Sequence, residues 1–339
     1  MTAKTLTRRE TLRALGASVL SVVPPTVLGR GGRQSPGSSL AGRRLPVALV
    51  PCPGYGPETL IAAVRAGWRS SRPPEVRGKS VLIKPNLVDV ADDRPVFTDL
   101  RLVEALIAHL GDLGAREVII AEGAAHNRDS EWLFRGSGYE AMAKRRGVRL
   151  VDLNYDDITV VPSVNPGSTL FKAMSLPRTV TSADVIISVP KMKTHRFAGV
   201  TLSMKNMFGV LPGIVYGWPK NALHWNGIPL SVCEINGTVK VHYSIVDGVV
   251  GMEGYGPLLG TAKKAGVLVM GDNALAVDAT AARVMGVDPS RVEHLALAHR
   301  IRLGSLRAED IEVVGEKIER VRSDFALEPE FAYLRAPGG

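Results

Sequence analysis

Short apolar segments alternate with segments of helical periodicity through most of the chain. Eight runs rich in Val, Ile and Leu have the length of buried strands: residues 47–50, 80–83, 117–121, 148–153, 185–189, 242–246, 266–270 and 311–314. Between them, apolar residues recur at a spacing of three or four, as in Leu102, Leu106 and Leu110. This spacing places them on one face of a helix, and residues 58–68, 139–146 and 274–285 follow similar helical patterns.

Continuous apolar strands that alternate with helices are typical of a mostly parallel sheet with helices on both faces. We therefore predict an α/β fold in which residues 46–339 form a single domain. The stretch from residue 155 to 180 is less regular, and there we expect a small antiparallel excursion that pairs residues 158–161 with residues 170–174. No apolar run of membrane-spanning length follows residue 45.

The ends of five predicted strands carry ionisable or amide side chains. In an open α/β sheet, ligands bind outside the carboxyl ends of the strands, so this coincidence predicts one shared site, although a loop edge without function would also be polar. From loops, His126 and His224 are further candidates for this edge. The strand-end residues are Lys84, Asn86, Glu122, Lys191, Lys193, His195, Asp247 and Asp272, and we assign Lys84, Asn86, Glu122 and the nearby Asn206 to substrate binding.

Three lysines and a histidine are expected near the end of strand 185–189. Lys191, Lys193 and His195 alternate, so an extended backbone would point them to one side. Lys205 follows within residues 200–209, which we predict as a helix. These four are candidate catalytic residues, because ammonium and imidazole groups suit an anionic ligand. Crowding would also lower the pKa of one lysine and make it a base or a Schiff-base amine, whereas solvated loop lysines are the alternative.

Four carboxylates are candidates for a metal site. Asp247, Glu253, Asp272 and Asp278 together would offer the oxygen ligands that a divalent cation prefers. Asp278 lies among small apolar residues, where a carboxylate needs a partner or a ligand. That partner is a metal, a lysine or the helix N-terminus of another element, and these alternatives remain open at the level of the sequence.

The first residues differ in character from the rest of the chain. Residues 7–13, Thr-Arg-Arg-Glu-Thr-Leu-Arg, resemble a twin-arginine export signal. We assign residues 1–28 to this signal segment, which contains an apolar stretch at 15–28, and residues 29–45 to a flexible linker rich in Gly, Ser, Pro and Arg. We expect the twin-arginine translocase to export the protein to the periplasm or another extracytoplasmic side, with a membrane tether if the leader stays uncleaved. An amphipathic helix with a chance Arg pair is the alternative.

Most of the net charge belongs to this leader. The 339-residue chain has 42 Lys and Arg residues against 33 Asp and Glu residues, a net charge of +9. Residues 1–44 hold eight of the basic residues and one acidic residue, which leaves 34 against 32 in the remainder. A nearly neutral body argues against a nucleic-acid partner. The two cysteines, Cys52 and Cys233, are too few for an iron–sulfur cluster held by four thiolates.

Several motifs in one order resemble the domain-of-unknown-function-362 family. They are Lys84-Pro85-Asn86, residues 190–195, residues 201–209, residues 247–257 and the segment from Gly271-Asp272 to Asp278. The resemblance covers about residues 47–302. It implies the same site positions but no reaction. Some members of the family carry added ferredoxin-type clusters bound by closely spaced cysteines, which this sequence lacks, so the resemblance implies no iron–sulfur cofactor here.

These observations are consistent with three functions. The first is an exported enzyme with a mixed Lys, His and carboxylate site that acts on a small anionic substrate, with or without a divalent metal. The second is a carrier that binds a metal, cofactor or anion with the same residues and turns nothing over. The third is an assembly partner with a vestigial site. We favour the enzyme, and we assign it no particular reaction.

Overall fold

The structure, a computed structural model, describes residues 44–124, 129–164 and 172–336. The apolar runs form strands in the predicted places, and the site region contributes further short ones. The strands are β1 Leu45–Pro51, β2 Ser80–Pro85, β3 Glu117–Glu122, β4 Arg149–Asp152, β5 Ile158–Pro162, β6 Ala173–Pro177, β7 Val185–Val189, β8 Lys191–His195, β9 Gly199–Thr201, β10 Tyr243–Glu253, β11 Thr261–Lys263, β12 Val267–Gly271 and β13 Ile311–Gly315.

The main sheet has eleven strands among the described residues, and eight of them lie side by side in the order β13-β1-β12-β10-β7-β2-β3-β4, while β8 and β11 pair with β10 and β9 pairs with β8. Neighbours in this order are parallel except at β12, which is antiparallel to both β1 and β10. The predicted mostly parallel α/β sheet is therefore confirmed. The expected antiparallel excursion is also present as β5 paired with β6, with Ile158 opposite Pro177 and Pro162 opposite Ala173. Its second strand begins later than predicted, and residues 170 and 171 lie outside the described part of the chain.

Helices cover both faces of this sheet. Because side chains alternate along a strand, Val81 and Ile83 pack into one apolar cluster and Leu82 into the other. Helices Pro57–Ser70, Leu100–Asp112 and Tyr139–Arg146 bury apolar residues in the first cluster, and helices Ile228–Thr238, Ala274–Val284 and Glu293–Arg300 in the second. The shorter α-helices are Ser130–Gly136, Arg178–Ser182, Ser203–Asn206, Gly213–Tyr216, Asn221–Trp225 and Ile318–Val321.

The segment that carries Lys205 differs from the predicted helix over residues 200–209. Its first part is β9, which forms a hairpin with β8 in which His195 lies opposite Gly199. Gly199 has a φ of +74°, a conformation that glycine adopts without strain. An α-helix then covers Ser203–Asn206, and a 3-10 helix covers Met207–Val210. The hairpin thus replaces the first turn of the expected helix.

The predicted export signal and most of the linker, residues 1–43, lie outside the described residues. From residue 44 onward, the described residues belong to one compact unit. Among them, no helix has both the length and the apolar character that crossing a membrane requires.

Candidate functional site

A cavity of about 500 Å³ opens at the carboxyl ends of β2 and β3. We call it the Lys205 cavity. One wall comes from the β8–β9 hairpin and the segment that follows it, and another is apolar and contains Leu258 and Leu259. Among the described residues, the ionisable side chains that line it are Lys84, Glu122, His195, Arg196, Lys205, His224 and Tyr255.

A buried ion pair forms part of this lining. Lys84, near the end of β2, donates from Nζ to Oε2 of Glu122, at the end of β3, over 2.7 Å. The same Nζ donates to the Pro85 carbonyl at 2.6 Å and to Oδ1 of Asn206 at 3.1 Å. Burial lowers the pKa of Lys84 and the Glu122 carboxylate raises it. Three predicted substrate-binding residues therefore meet in one hydrogen-bonded cluster.

Glu122 has donors on both carboxylate oxygens. Oε2 also accepts the Leu87 N–H at 2.8 Å, and Oε1 accepts the Gly123 N–H at 3.0 Å. Gly209 packs directly against the pair, since a Cβ at this position would lie 2.6 Å from Cε of Lys84. Lys84 and Glu122 are therefore tightly packed and neutralise each other's charge. The positive charge of the cavity comes from Arg196 and Lys205 instead.

Two buried polar atoms of the lining have no hydrogen-bond partner among the residues that the structure describes. They are Oδ1 of Asn86, the fourth predicted substrate-binding residue, and Oγ1 of Thr201 in β9. Buried polar atoms are nearly always hydrogen-bonded in folded proteins. An acceptor and a hydroxyl are thus available to a molecule in the cavity.

Lys205 reaches the cavity from the short helix Ser203–Asn206 and is partly exposed to it. Its Nζ lies 3.8 Å from the centre of the Phe208 ring, and it forms no ion pair or hydrogen bond with the described residues. Desolvation and the nearby Lys84 charge lower the pKa of Lys205 to about 7. Within the described part of the chain, this amine therefore has no counterion, and its lowered pKa makes the neutral form accessible near neutral pH.

His195 ends β8 and lines the same cavity. Its Nδ1 accepts the backbone N–H groups of Phe197 at 3.0 Å and Ala198 at 3.2 Å, which places the ring proton on Nε2. Desolvation and the nearby Lys205 charge hold the pKa of His195 well below its usual value. The imidazole is therefore neutral at physiological pH and keeps one N–H for donation.

Arg196 adds a positive charge next to the apolar wall. Its guanidinium lies 4.7 Å from the centre of the exposed Phe197 ring and 5.4 Å from that of Tyr255. It donates to the Tyr255 hydroxyl at 3.2 Å. The lining therefore combines cationic and apolar surface, which suits an anion with an apolar portion.

Lys191 and Lys193, predicted to act beside His195, do not line the cavity. Lys191 forms a buried ion pair with Asp247, 2.6 Å from Nζ to Oδ2. Lys193 donates to the carbonyls of Val96 at 2.9 Å and Pro257 at 3.3 Å. Desolvation, with Lys191 as a second cause, lowers the pKa of Lys193 to about 7. Of the three predicted catalytic residues on β8, His195 lines the cavity and Lys191 and Lys193 do not.

The four candidate metal ligands are also separated. Asp278 is buried and caps the helix Ser203–Asn206: its oxygens accept the N–H groups of Ser203 at 2.7 Å and Met204 at 2.8 Å. Its partner is therefore the helix N-terminus, one of the three alternatives left open by the sequence. Desolvation raises the pKa of Asp278 to about 8.

Asp272 lies at the opposite edge of the sheet because β12 runs antiparallel to its neighbours, and there it lies 3.9 Å from the guanidinium group of Arg72. Glu253 pairs with Lys263 at 3.6 Å, and Asp247 is held by the buried lysine of β8. Within the described ranges, no three His, Cys, Asp or Glu side chains form a group that could hold a metal ion.

Lys220 was not identified from the sequence. Its buried Nζ donates to the carbonyls of Gly123 at 2.9 Å, Phe208 at 3.3 Å and Gly209 at 3.4 Å, and so ties together two segments of the cavity wall. It follows a Trp-Pro step in an irregular segment without strand or helix periodicity, so no pattern signalled its burial. His224 lines the cavity as expected, whereas His126 lies outside the described residues.

The sequence profile of the family described as domain of unknown function (DUF362) matches residues 81–283 of the chain. The chain belongs to the DUF362 family. The match extends from β2 to the helix Ala274–Val284. It therefore includes all the described residues that line the Lys205 cavity. The resemblance inferred from the motifs is thereby confirmed.

A protein of Synechocystis sp. named as thylakoid-associated is 26% identical over 284 residues, which cover 78% of this chain and 81% of that protein. A crystal structure of a protein from Thermotoga maritima aligns with a TM-score of 0.36 and 13% identity, over 58% of this chain and 51% of that one.

Proposed function

We propose that this DUF362 protein is an enzyme that binds a small organic anion with an apolar portion in the Lys205 cavity. The observation that carries the proposal is the Lys205 ammonium group, which faces the cavity without a counterion or a hydrogen-bond acceptor among the described residues. A largely desolvated cation without a counterion is costly, and a bound anion would compensate its charge.

The remaining lining has the groups that such a ligand needs. The Nε2–H of His195 and the hydroxyl of Thr201 are donors for a carboxylate or phosphate, and Oδ1 of Asn86 is an acceptor for a ligand hydroxyl. The apolar portion would pack along Phe208 and Leu258. The polar groups would fix orientation, as in other cavities that bind small molecules.

Turnover is favoured over simple carriage by the state of the ionisable groups. A lysine whose pKa lies at about 7 is present both as ammonium and as amine at neutral pH, so Lys205 can give up or accept a proton, and the neutral His195 in the same cavity donates a hydrogen bond from Nε2. In this proposal Lys205 and His195 touch the substrate. Lys191 and Lys193 shape the strand that carries His195.

We extend the proposal to the place of action. The twin-arginine-like segment at residues 7–13 and the thylakoid-associated name of the Synechocystis relative support work on the extracytoplasmic side of a membrane. The twin-arginine translocase would be the partner of the leader. Fusing residues 1–45 to a folded reporter tests this, because export should stop when Arg8→Lys and Arg9→Lys are combined; continued export would contradict it.

The binding proposal is tested with a panel of aliphatic and aromatic carboxylates and phosphate esters, by calorimetric titration and product analysis by mass spectrometry. Lys205→Met should weaken binding about tenfold or more, because hydrogen bonds to charged groups contribute about 1.5–3 kcal/mol. Lys240→Met, at an exposed position, is the matched control and should bind as the wild type does.

Thermal denaturation completes the test. Lys205→Met should unfold at the same or a higher temperature, since it removes a poorly compensated charge. Weaker binding in an equally stable variant supports the site. Equal binding by Lys205→Met and Lys240→Met would overturn it, and tight binding without any product would indicate a carrier.

A further inference from the structure

Among the buried and cavity-lining lysines, Lys205 differs in its partners. Lys84 and Lys191 each pair with a carboxylate at 2.7 and 2.6 Å. Lys193 and Lys220 donate to backbone carbonyls. Lys205 has neither kind of partner among the described residues. No hydrogen bond to those residues therefore restrains its amine group.

The surroundings of this amine favour its neutral, nucleophilic form. The Phe208 ring covers it at 3.8 Å in a cation–π contact, which favours the ammonium form, but desolvation of the amine outweighs this contact and lowers its pKa. The positively charged Lys84 lies close enough to disfavour a second ammonium group. An apolar neighbour combined with an adjacent cation is one way in which proteins activate a lysine for attack on a carbonyl carbon.

Resting on the anion-binding function proposed above, we propose that Lys205 forms a covalent imine with a substrate that carries both a carbonyl group and an acidic group, as 2-oxo acids do. The acidic group accounts for the cationic lining, and the carbonyl group accounts for an amine that has no other partner. An apolar substituent on the substrate fits the wall at Leu258 and Leu259.

The step balances without an oxidant or a reductant. The lone pair of the neutral Lys205 amine forms a C–N bond with the carbonyl carbon, and the C=O π electrons move to oxygen, which takes up a proton. That proton comes from the amine. The carbinolamine so formed then loses its hydroxyl group together with the second amine hydrogen as one water molecule. The neutral His195, which keeps a proton on Nε2, lines the same cavity and is assigned to hydrogen-bond the carbonyl oxygen, while the protons pass from nitrogen to oxygen through solvent water.

The experiment traps the imine by reduction. The full chain is incubated at pH 7 with pyruvate, phenylpyruvate or 2-oxoglutarate and sodium cyanoborohydride, and the peptides are mapped by mass spectrometry. We expect one adduct per chain, on Lys205, with the mass of the oxo acid less one oxygen. Labelling should be at least tenfold faster than at the exposed Lys240, be absent in Lys205→Arg and persist in Lys240→Arg.

Two further measurements separate this inference from the proposed function. Phenyllactate, which has the acidic group but no ketone, should compete with labelling and should bind in calorimetry. If it binds through Lys205 and no oxo acid is trapped there, imine formation is refuted while the anion site stands. If neither acid binds and labelling is spread evenly over surface lysines, both proposals fail.

Discussion

Replacing Glu122 by Gln tests whether the wall of the cavity is an ion pair that the fold depends on. Glu122 accepts three hydrogen bonds, from Nζ of Lys84 and from the backbone N–H groups of Leu87 and Gly123. A glutamine offers one oxygen and one NH2 group in their place, so one donor faces another donor. The Lys84 ammonium keeps only uncharged acceptors.

The size of the effect follows from burial. The side chains of Lys84 and Glu122 are 1% and 3% exposed. Removing one partner of a buried pair costs about 3–5 kcal/mol, which in a domain of this size lowers the melting temperature by roughly 6–10 °C. The matched control is Glu140→Gln: Glu140 pairs with Lys144 at a similar distance, 2.8 Å, but on the surface, where the loss should be about 0.5 kcal/mol.

The pH dependence of the free energy of unfolding provides a second, independent test. Burial lowers the pKa of Lys84 and Glu122 raises it, so the variant should have a still lower Lys84 pKa. A lysine with a pKa below its unfolded value binds fewer protons in the folded state, and stability then rises with pH up to the unfolded value of about 10.4. The deficit of Glu122→Gln should therefore shrink as the pH is raised from 7 to 9.5.

The assay is urea denaturation of the wild type, Glu122→Gln, Lys84→Met and the double variant, at both pH values. The double variant should lose less than the sum of the single losses, by about 0.5–3 kcal/mol, because it leaves no unpaired charge. If Glu122→Gln costs no more than Glu140→Gln, or if its deficit grows with pH, the pair is not a buried ionic contact and our description of the wall is wrong.

Three further substitutions probe the same region by denaturation. Gly209→Ala should cost about 1–3 kcal/mol because its Cβ would lie 2.6 Å from Cε of Lys84, whereas Gly54→Ala has open space and should cost little; equal losses would contradict the packing. Asp278→Asn should cost about 1–3 kcal/mol, since one of the two capped N–H groups loses its acceptor, and unchanged stability would refute the cap. Lys193, with its pKa lowered to about 7, should make wild-type stability rise between pH 7 and 10, and Lys193→Met should flatten that rise; identical slopes would exclude it.

The sequence predicted the sheet well because the apolar runs encode burial on both faces, and burial is a local property. It did not predict that β12 is antiparallel, because the direction of a strand depends on how its connections cross the sheet. That reversal moves Asp272 from the predicted site to the far edge. Lys84 and Glu122 lie together because β2 and β3 are parallel neighbours whose carboxyl ends meet, and the helix Ser203–Asn206 brings Asn206 to the same place.

The lysines of the site were harder to interpret, because their chemistry depends on partners that are distant in sequence. Lys191 and Lys193 are two residues apart, yet one meets a carboxylate 56 residues away and the other meets only carbonyls. Spacing along β8 contains no information about either partner. The same holds for Lys220, whose acceptors include a carbonyl 97 residues away. Charge patterns therefore indicated the region of the site. They did not indicate that Lys205 would be the lysine that faces the cavity without a partner among the described residues.

Asp278 connects the apolar helix Ala274–Val284 with the short helix that carries Lys205. The sequence required a partner for a carboxylate among small apolar residues, and that partner is the start of a four-residue helix, which is too short to be stable alone. Lys205 lies on this helix, so the cap fixes the position of the amine from outside the cavity. Both Asp278 oxygens accept backbone N–H groups, so this side chain anchors the helix that carries Lys205. The cap therefore positions an amine that has no counterion among the described residues, and this is the property on which both proposals depend.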